Sequence, residues 1–414
     1  MPFTINVNDI AMKQRMTKSL ATLLLALIAL ALPSHVGEAC TTAVLSGKVT
    51  KSGKPMIWKL RDTEAFDNHI HRFTSPMGTY IGLINDSDTL RTQIWGGHNS
   101  HGFAIMNSAS FNVNEGQNLQ GVHMDREGVV MKEALEQCKT LKDFEEYLDR
   151  SPKPLGVAAH FGVIDAEGGA AFYEVNNYTW TKYDANEDPR GYVIRTNYSM
   201  TGKENKGYGY VRYACATALF DTLDKGKVTL QDIGSKLSRS MYHGLLQVDY
   251  RALAEADALP SRTGFIDSDD LIARYDTSSM ILIEGVTPQS SPELTTTWVQ
   301  IGNPYLTPLV PVWTWQEVPA DLQLPTPQHP ETLASIAKKL KLKLYPLRTI
   351  EERRYLYMPL IYRPDGKGLS QLLENLEEQI IPKVEATQSH DELQKLQSQI
   401  ITTSLGYMHA ALTE

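Results

Sequence analysis

A cysteine standing where a signal peptidase would cut can do chemistry that an internal cysteine cannot. Cys40 follows Gly37-Glu38-Ala39, which offers small residues at the two places the peptidase reads and makes Cys40 the first residue of the mature chain. Such a residue carries its own base. A free α-amine titrates near ~7.7–8.0 and a thiol near ~8.5, so passing the proton between them costs roughly 1 kcal/mol before the site helps. The same amine can later protonate the leaving nitrogen of an amide, so that one residue is both nucleophile and general acid/base.

The groups such a site needs around the cysteine are a carboxylate or cation to orient the amine and tune the sulfur, and polar donors for the oxyanion of a tetrahedral intermediate. Trp58-Lys59-Leu60-Arg61-Asp62 ends the run that pairs with the Cys40 strand, which brings Asp62 beside the new N-terminus. Arg61 and Lys59 compete for the cation role, and strand alternation puts both on the face opposite Asp62. Asn107 ends Ile105-Met106-Asn107 and Asn197 ends Ile194-Arg195-Thr196-Asn197, two strand-end amides suited to an oxyanion hole.

The elements that must position these residues read as short strands interrupted by helices, a mixed α+β pattern. Cys40 to Leu45 and Pro55 to Arg61 flank the turn Lys51-Ser52-Gly53-Lys54 and form a hairpin. Thr92 to Trp95 and Phe103 to Asn107 flank a Gly-rich stretch and form a second hairpin. Helical spacing runs over Val129 to Tyr147 and Tyr210 to Leu223, between strands at Ala159 to Ile164, Ala170 to Val175 and Gly191 to Thr196. Ser278 to Ile283 and Thr295 to Ile301 make a last pair. The chain thus divides into a signal peptide (1–39), a core (40–315) and a Pro-rich connection with a helical C-terminal appendage (316–414). In that appendage Leu369, Leu372, Leu376 and Ile380 form a stripe that Pro382 should end, and Leu393, Leu396, Ile400 and Leu405 form another.

Lys13, Arg15 and Lys18 precede the apolar run Leu20 to Leu32, which Pro33 ends. That run is too short for a membrane span of about 20 residues and fits an export signal, so the mature protein is expected to be periplasmic or secreted. A lipoprotein signal would also leave an N-terminal Cys, but Gly37 stands where such signals carry a bulky aliphatic residue.

In order and spacing these segments resemble the choloylglycine hydrolase and penicillin acyltransferase group of N-terminal nucleophile hydrolases. Cys40-Thr41-Thr42 and Gly53-Lys54-Pro55-Met56-Ile57-Trp58-Lys59-Leu60-Arg61-Asp62 look like the acyltransferase branch. Gly97 to Ala104 resembles the group's Asn-x-x-Gly turn, which leads to an oxyanion-hole Asn, here Asn107. Thr196-Asn197 resembles its second Asn, while Thr277 to Met280 and Ile301 to Pro304 resemble its closing strands. The likeness implies a four-layer αββα sandwich with Cys40 at the edge of a central sheet. It also implies cleavage or transfer of a small-molecule N-acyl amide through a thioester on Cys40. The bile-salt branch has Arg where this chain has Lys59, and another Arg where our alignment places Gly209, so bile-salt specificity does not carry over. A dipeptidase of the related N-terminal Cys group, which also begins Cys-Thr-Thr, and a lipid-anchored binding protein are the alternatives.

Other features are set aside. No cofactor is expected, since the sequence has no phosphate loop, dinucleotide fingerprint or Gly-x-Ser-x-Gly elbow. His69 and His71 are too few for a metal site and read as surface strand residues; His98 and His101 shape a turn. Trp298, Trp313 and Trp315 read as core, and Cys138 and Cys215 as two buried thiols on separate helices. A formal charge of -8 leaves no net positive field to hold a polyanion, so nucleic acid is not an expected partner.

Overall fold

The expected first hairpin forms from the β-branched run Ala39–Leu45 (β1), which pairs antiparallel with Met56–Asp62 (β2). Gly53 makes the reversal possible at φ 71°, a region side chains avoid. The computed structural model describes residues 39–348 and 354–414, so all of the expected signal peptide but Ala39 lies outside the described residues.

Two antiparallel sheets carry the architecture. The first has six strands in the order β10-β1-β2-β14-β15-β16, adding Tyr192–Arg195 (β10), Thr277–Glu284 (β14), Thr296–Ile301 (β15) and Val310–Val312 (β16). The second runs β3 to β9 in sequence order: Asn68–Ser75, Gly78–Asn85, Gly96–Asn99, Ala104–Ala109, Ala159–Ile164, Ala170–Val175 and Trp180–Asp184. Short pieces Tyr242–His243 (β11), Val248–Asp249 (β12) and Phe265–Asp267 (β13) lie outside both.

The sheets pack face to face, with β1 and β2 over β6 and β7. The approach is close enough that a Cβ on Gly162 would sit 3.0 Å from Val44 Cγ2. Helices Glu127–Gln137 (α1) and Leu141–Arg150 (α2) cover the seven-stranded sheet, Phe144 packing edge-on against Tyr173 of β8 at 5.3 Å. Tyr210–Asp221 (α3) and a π-helical turn at Asp232–Leu237 lie against the six-stranded sheet, and the short helix Tyr250–Glu255 (α4) follows them in the chain. Together these make the expected four-layer αββα sandwich. Burial on both faces is why β1, β2 and β14 show no clean alternation of apolar and polar residues.

Four local expectations change. The helical stretch from Val129 is two helices, because Thr140 is extended and accepts the Asp143 N–H in a capping box that starts α2. The Gly-rich segment is itself strand β5, and the hairpin turns later, where Gly102 has φ 81°. His69 is buried, its Nδ1 2.7 Å from Asp86 Oδ1. Pro382 does not end its helix, which continues to Ala386. Its side chain is exposed, and Ile381 and Val384 are buried on either side of it. That packing outweighs the lost backbone bond.

The C-terminal helices are Leu333–Leu344 (α5), Leu369–Ala386 (α6) and His390–Thr413 (α7), and a buried ion pair ties α6 to the segment just after the π-helical turn. Arg239 donates to both oxygens of Glu377 on α6 at 2.7 Å, and also to the carbonyls of Pro304 and Thr307. Glu377 further accepts from Ser235 Oγ and the Leu309 N–H. Both side chains are fully buried, so removing one strands the other's charge. Glu377→Ala should therefore lower unfolding free energy by about 3–5 kcal/mol, as measured by urea denaturation.

Candidate active site

Strand β1 outruns its neighbour β10, and the site is built where the ladder stops. The two strands pair from Thr42↔Arg195 to Leu45↔Tyr192. Carried two residues further, that register sets Asn197 opposite Cys40, and the Asn197 side chain does what a ladder partner would have done. Its Oδ1 accepts the Cys40 backbone N–H at 2.9 Å. Arg212 of α3 completes a ring: Nη2 donates to the same Asn197 Oδ1 at 2.7 Å, and Nη1 donates to the Cys40 carbonyl at 2.7 Å and to Thr41 Oγ1 at 3.0 Å. Asn197 Nδ2 donates to the Ala109 carbonyl at 3.1 Å, which fixes the amide's orientation and ties it to the end of β6. Both backbone polar groups of Cys40 are thus held by side chains in a buried setting.

Register also places the cations. Arg61 is the cross-strand partner of Cys40, and Lys59 that of Thr42, so alternation puts both on the Cys40 face. Arg61 Nη1 donates to Asn68 Oδ1 and Asn85 Oδ1 at 2.7 and 2.8 Å, and its guanidinium lies 4.5 Å from the Trp95 ring centre. Lys59 Nζ donates to the Trp95 carbonyl at 2.9 Å and to Asn107 Oδ1 at 2.7 Å. An ammonium can only donate, so the Asn107 atom facing it must be the oxygen. Asn107 Nδ2 is thereby turned the other way and makes no hydrogen bond among the described residues.

Asp62 points to the other face, as expected, and pairs with Ala39, the residue before Cys40. Its oxygens accept from Arg274 Nε at 2.9 Å and Thr277 Oγ1 at 2.6 Å. Burial alone would depress the Arg274 guanidinium, but Asp62 and Asp276 outweigh it and hold it up. Burial pushes Arg212 down to about 10, helped by the charge of Arg274 and opposed by Asp62 and Cys40. Arg212 stays cationic at neutral pH.

The structure thus brings Cys40, Arg61 and Asn197 together directly, Asn107 through Lys59, and Asp62 on the reverse face with Arg274. Arg212 and Arg274 were missed in the sequence. Arg212 had a signal, for it falls on the stripe that buries Cys215, Ala216 and Phe220. An Arg there needs partners.

Other candidates lie elsewhere. Trp298 and Trp313 border a cavity of about 140 Å³ with Glu284, at the Met56 end of the sheet and away from Cys40. Cys138 and Cys215 are free thiols that burial pushes up to about 12 and about 11. No group of three or more potential metal ligands occurs among the described residues, and no described helix is long and apolar enough to cross a membrane.

No protein-family model matches the sequence, and no curated protein matches it either. In structure the chain is similar to a Caenorhabditis elegans ortholog of N-acylethanolamine-hydrolyzing acid amidase, at 13% identity and TM-score 0.42, over 63% of this chain and 99% of that one. It is similar to a variant of conjugated bile acid hydrolase from Clostridium perfringens, at 12% identity and TM-score 0.40, over 67% and 94%. It is also similar to penicillin V acylase from Agrobacterium tumefaciens, at 12% identity and TM-score 0.33, over 66% and 85%.

Proposed function

We propose that the chain is an exported N-terminal Cys hydrolase or acyltransferase that cleaves a non-peptide amide through a thioester on Cys40. The observation that carries this reading is the ring of Asn197 and Arg212 around the nitrogen and carbonyl of Cys40. An internal strand residue has no need of such a ring, because main-chain partners would satisfy it. A residue that becomes a chain end after a cut does need one, since its amine must stay where its sulfur can use it.

In this mechanism signal peptidase removes residues 1–39 and turns the Cys40 amide nitrogen into an amine. The amine takes the thiol proton, and the sulfur attacks the substrate carbonyl. Arg61 and Arg212 favour the thiolate by charge. The carbonyl electrons move onto oxygen, where Asn107 Nδ2 is the available donor, its direction set by Lys59. Collapse of the intermediate expels the amine product, protonated by the Cys40 amine, and leaves the thioester. Water or a second amine then takes the acyl group and restores the thiol. Asp62, with Arg274 and Thr277, holds the end of β2 beside the new terminus.

The exported protein should begin at Cys40 with a free amine, by N-terminal sequencing, and carry no lipid on Cys40. It should release nitroaniline from some member of a panel of N-acyl 4-nitroanilides, and Cys40→Ala should reduce this by roughly 10³-fold or more. Full turnover by a folded Cys40→Ala chain would sink the mechanism. A diacylated terminus would point to a lipid-anchored protein, and a preference for free dipeptides to a dipeptidase. Lys59→Met frees the Asn107 amide to rotate, so kcat should fall by about 10²-fold while KM changes little. A fall confined to KM would remove Asn107 from the oxyanion role.

A further inference from the structure

The turn after Asn197 is fastened by a carboxylate that touches neither Cys40 nor any group bonded to it. Glu174 lies on β8, buried, in a strand otherwise made of apolar residues. Its Oε1 accepts from Ser199 Oγ at 2.6 Å, from the Thr201 N–H at 2.9 Å and from Thr201 Oγ1 by a short bond. Its Oε2 accepts from the Met200 N–H at 2.7 Å. His160 on β7 stands beside it, Nδ1 3.5 Å from Oε2, and donates from Nε2 to the Tyr198 carbonyl at 2.9 Å. Every residue from Tyr198 to Thr201 is therefore bound to one of two neighbouring side chains of the second sheet.

The same turn is stitched to the end of β6. Asn112 Oδ1 accepts the Ser199 N–H at 2.6 Å, and Asn112 Nδ2 donates to the Lys203 carbonyl at 2.8 Å. Gly202 is confined as well, since a Cβ there would lie 2.4 Å from the Asn112 carbonyl oxygen. Burial would raise the Glu174 carboxyl, but His160 and the hydroxyl and N–H donors outweigh it and hold it ionised. The ionised form accepts every one of these donors without donating.

We infer that Glu174 is a positioning residue for the reaction at Cys40: by gathering the N–H and O–H groups of residues 199–201 it fixes the turn that aims the Asn197 side-chain Oδ1 at the Cys40 nitrogen. This rests on the reading of Cys40 as the nucleophile and its amine as the base. The amide that replaces the carboxylate in Glu174→Gln sets an NH₂ against at least one of the donors that Glu174 now accepts. The turn then loosens and the amine loses its fixed acceptor. A carboxylate that only stabilised the fold would lower melting temperature and leave kcat per folded molecule unchanged.

The test is a double-mutant cycle on the processed protein, with Glu174→Gln, Asn197→Ala and both together, assayed on the N-acyl 4-nitroanilide it turns over best. Glu174→Gln should lower kcat by about 10–100-fold with KM little changed. On the Asn197→Ala background the same change should cost less than about threefold, because the residue through which it acts is gone. Losses that multiply independently, or a Glu174→Gln chain with full kcat, overturn the inference. If Glu174→Gln yields no folded protein, Thr201→Val removes the hydroxyl that donates to Glu174 while keeping the Thr201 N–H bond to it, and should lower kcat in the same direction by a smaller factor; unchanged kcat there overturns it too. Cys40→Ala run alongside separates the two failures. Turnover without the thiol sinks the mechanism, whereas loss with Cys40→Ala beside full activity in Glu174→Gln sinks this inference alone.

Discussion

A buried backbone nitrogen and carbonyl must find partners, and Cys40 sits where the strand that could have supplied them ends. The arrangement around it follows from that constraint. Asn197 substitutes for the missing ladder residue, Arg212 closes the ring from the helical layer, and Ala109 and Glu174 fix Asn197 and its turn from the other sheet. Each sheet therefore contributes to holding one residue. The inner faces of β1 and β2 bring Cys40, Lys59 and Arg61 against β5 and β6, whose Trp95 and Asn107 neighbours take the cations.

Much of this was legible because it is local or ordered along the chain. Cys40 is marked by the residues before it, and Asp62 by the hairpin that β1 and β2 form. Asn107 and Asn197 were legible as polar amides closing apolar runs, although β6 continues past Asn107 to Ala109 while Asn197 lies beyond the end of β10. What the sequence did not display is which long-range partner satisfies which buried group. Arg212 lies 172 positions from the carbonyl it holds. Glu174 reads as one charge in an apolar strand until the turn from Tyr198 to Thr201 folds over it. Lys59 and Arg61 looked like rivals for one role, yet the structure gives them different partners, Asn107 for one and Asn68 with Asn85 for the other.

The errors of element reading have a common cause. Periodicity continues across the gap between α1 and α2, since Leu141 and Phe144 are buried much as Val130, Met131 and Ala134 are, so the stripe alone could not show the break. The capping pair Thr140 and Asp143 could have shown it. Pro382 was read as a stop because the isolated helix would favour one; tertiary burial of the residues around it decided otherwise.

Burying this much charge is costly, and the C-terminal helices bear on how it is tolerated. Arg239 gains its paired counter-charge from Glu377 of α6, with Glu374 of the same helix adding to it. On α5, Lys341 lies buried with its ammonium 3.0 Å from the Phe66 ring centre and 4.2 Å from that of Tyr275. Burial pushes it down to about 7, against the pull of Asp276 and Asp62. The ring faces favour the cation by their quadrupoles and so oppose that push. Lys341 and Arg274 both lie within electrostatic reach of Asp62, and Asp62 pairs with the residue preceding Cys40. The charge of Asp62 is thus balanced in part from α5, a helix nearly three hundred residues further along the chain. A substitution that loosens α5 or α6 would disturb the field at Cys40 without touching any residue of the ring that holds it.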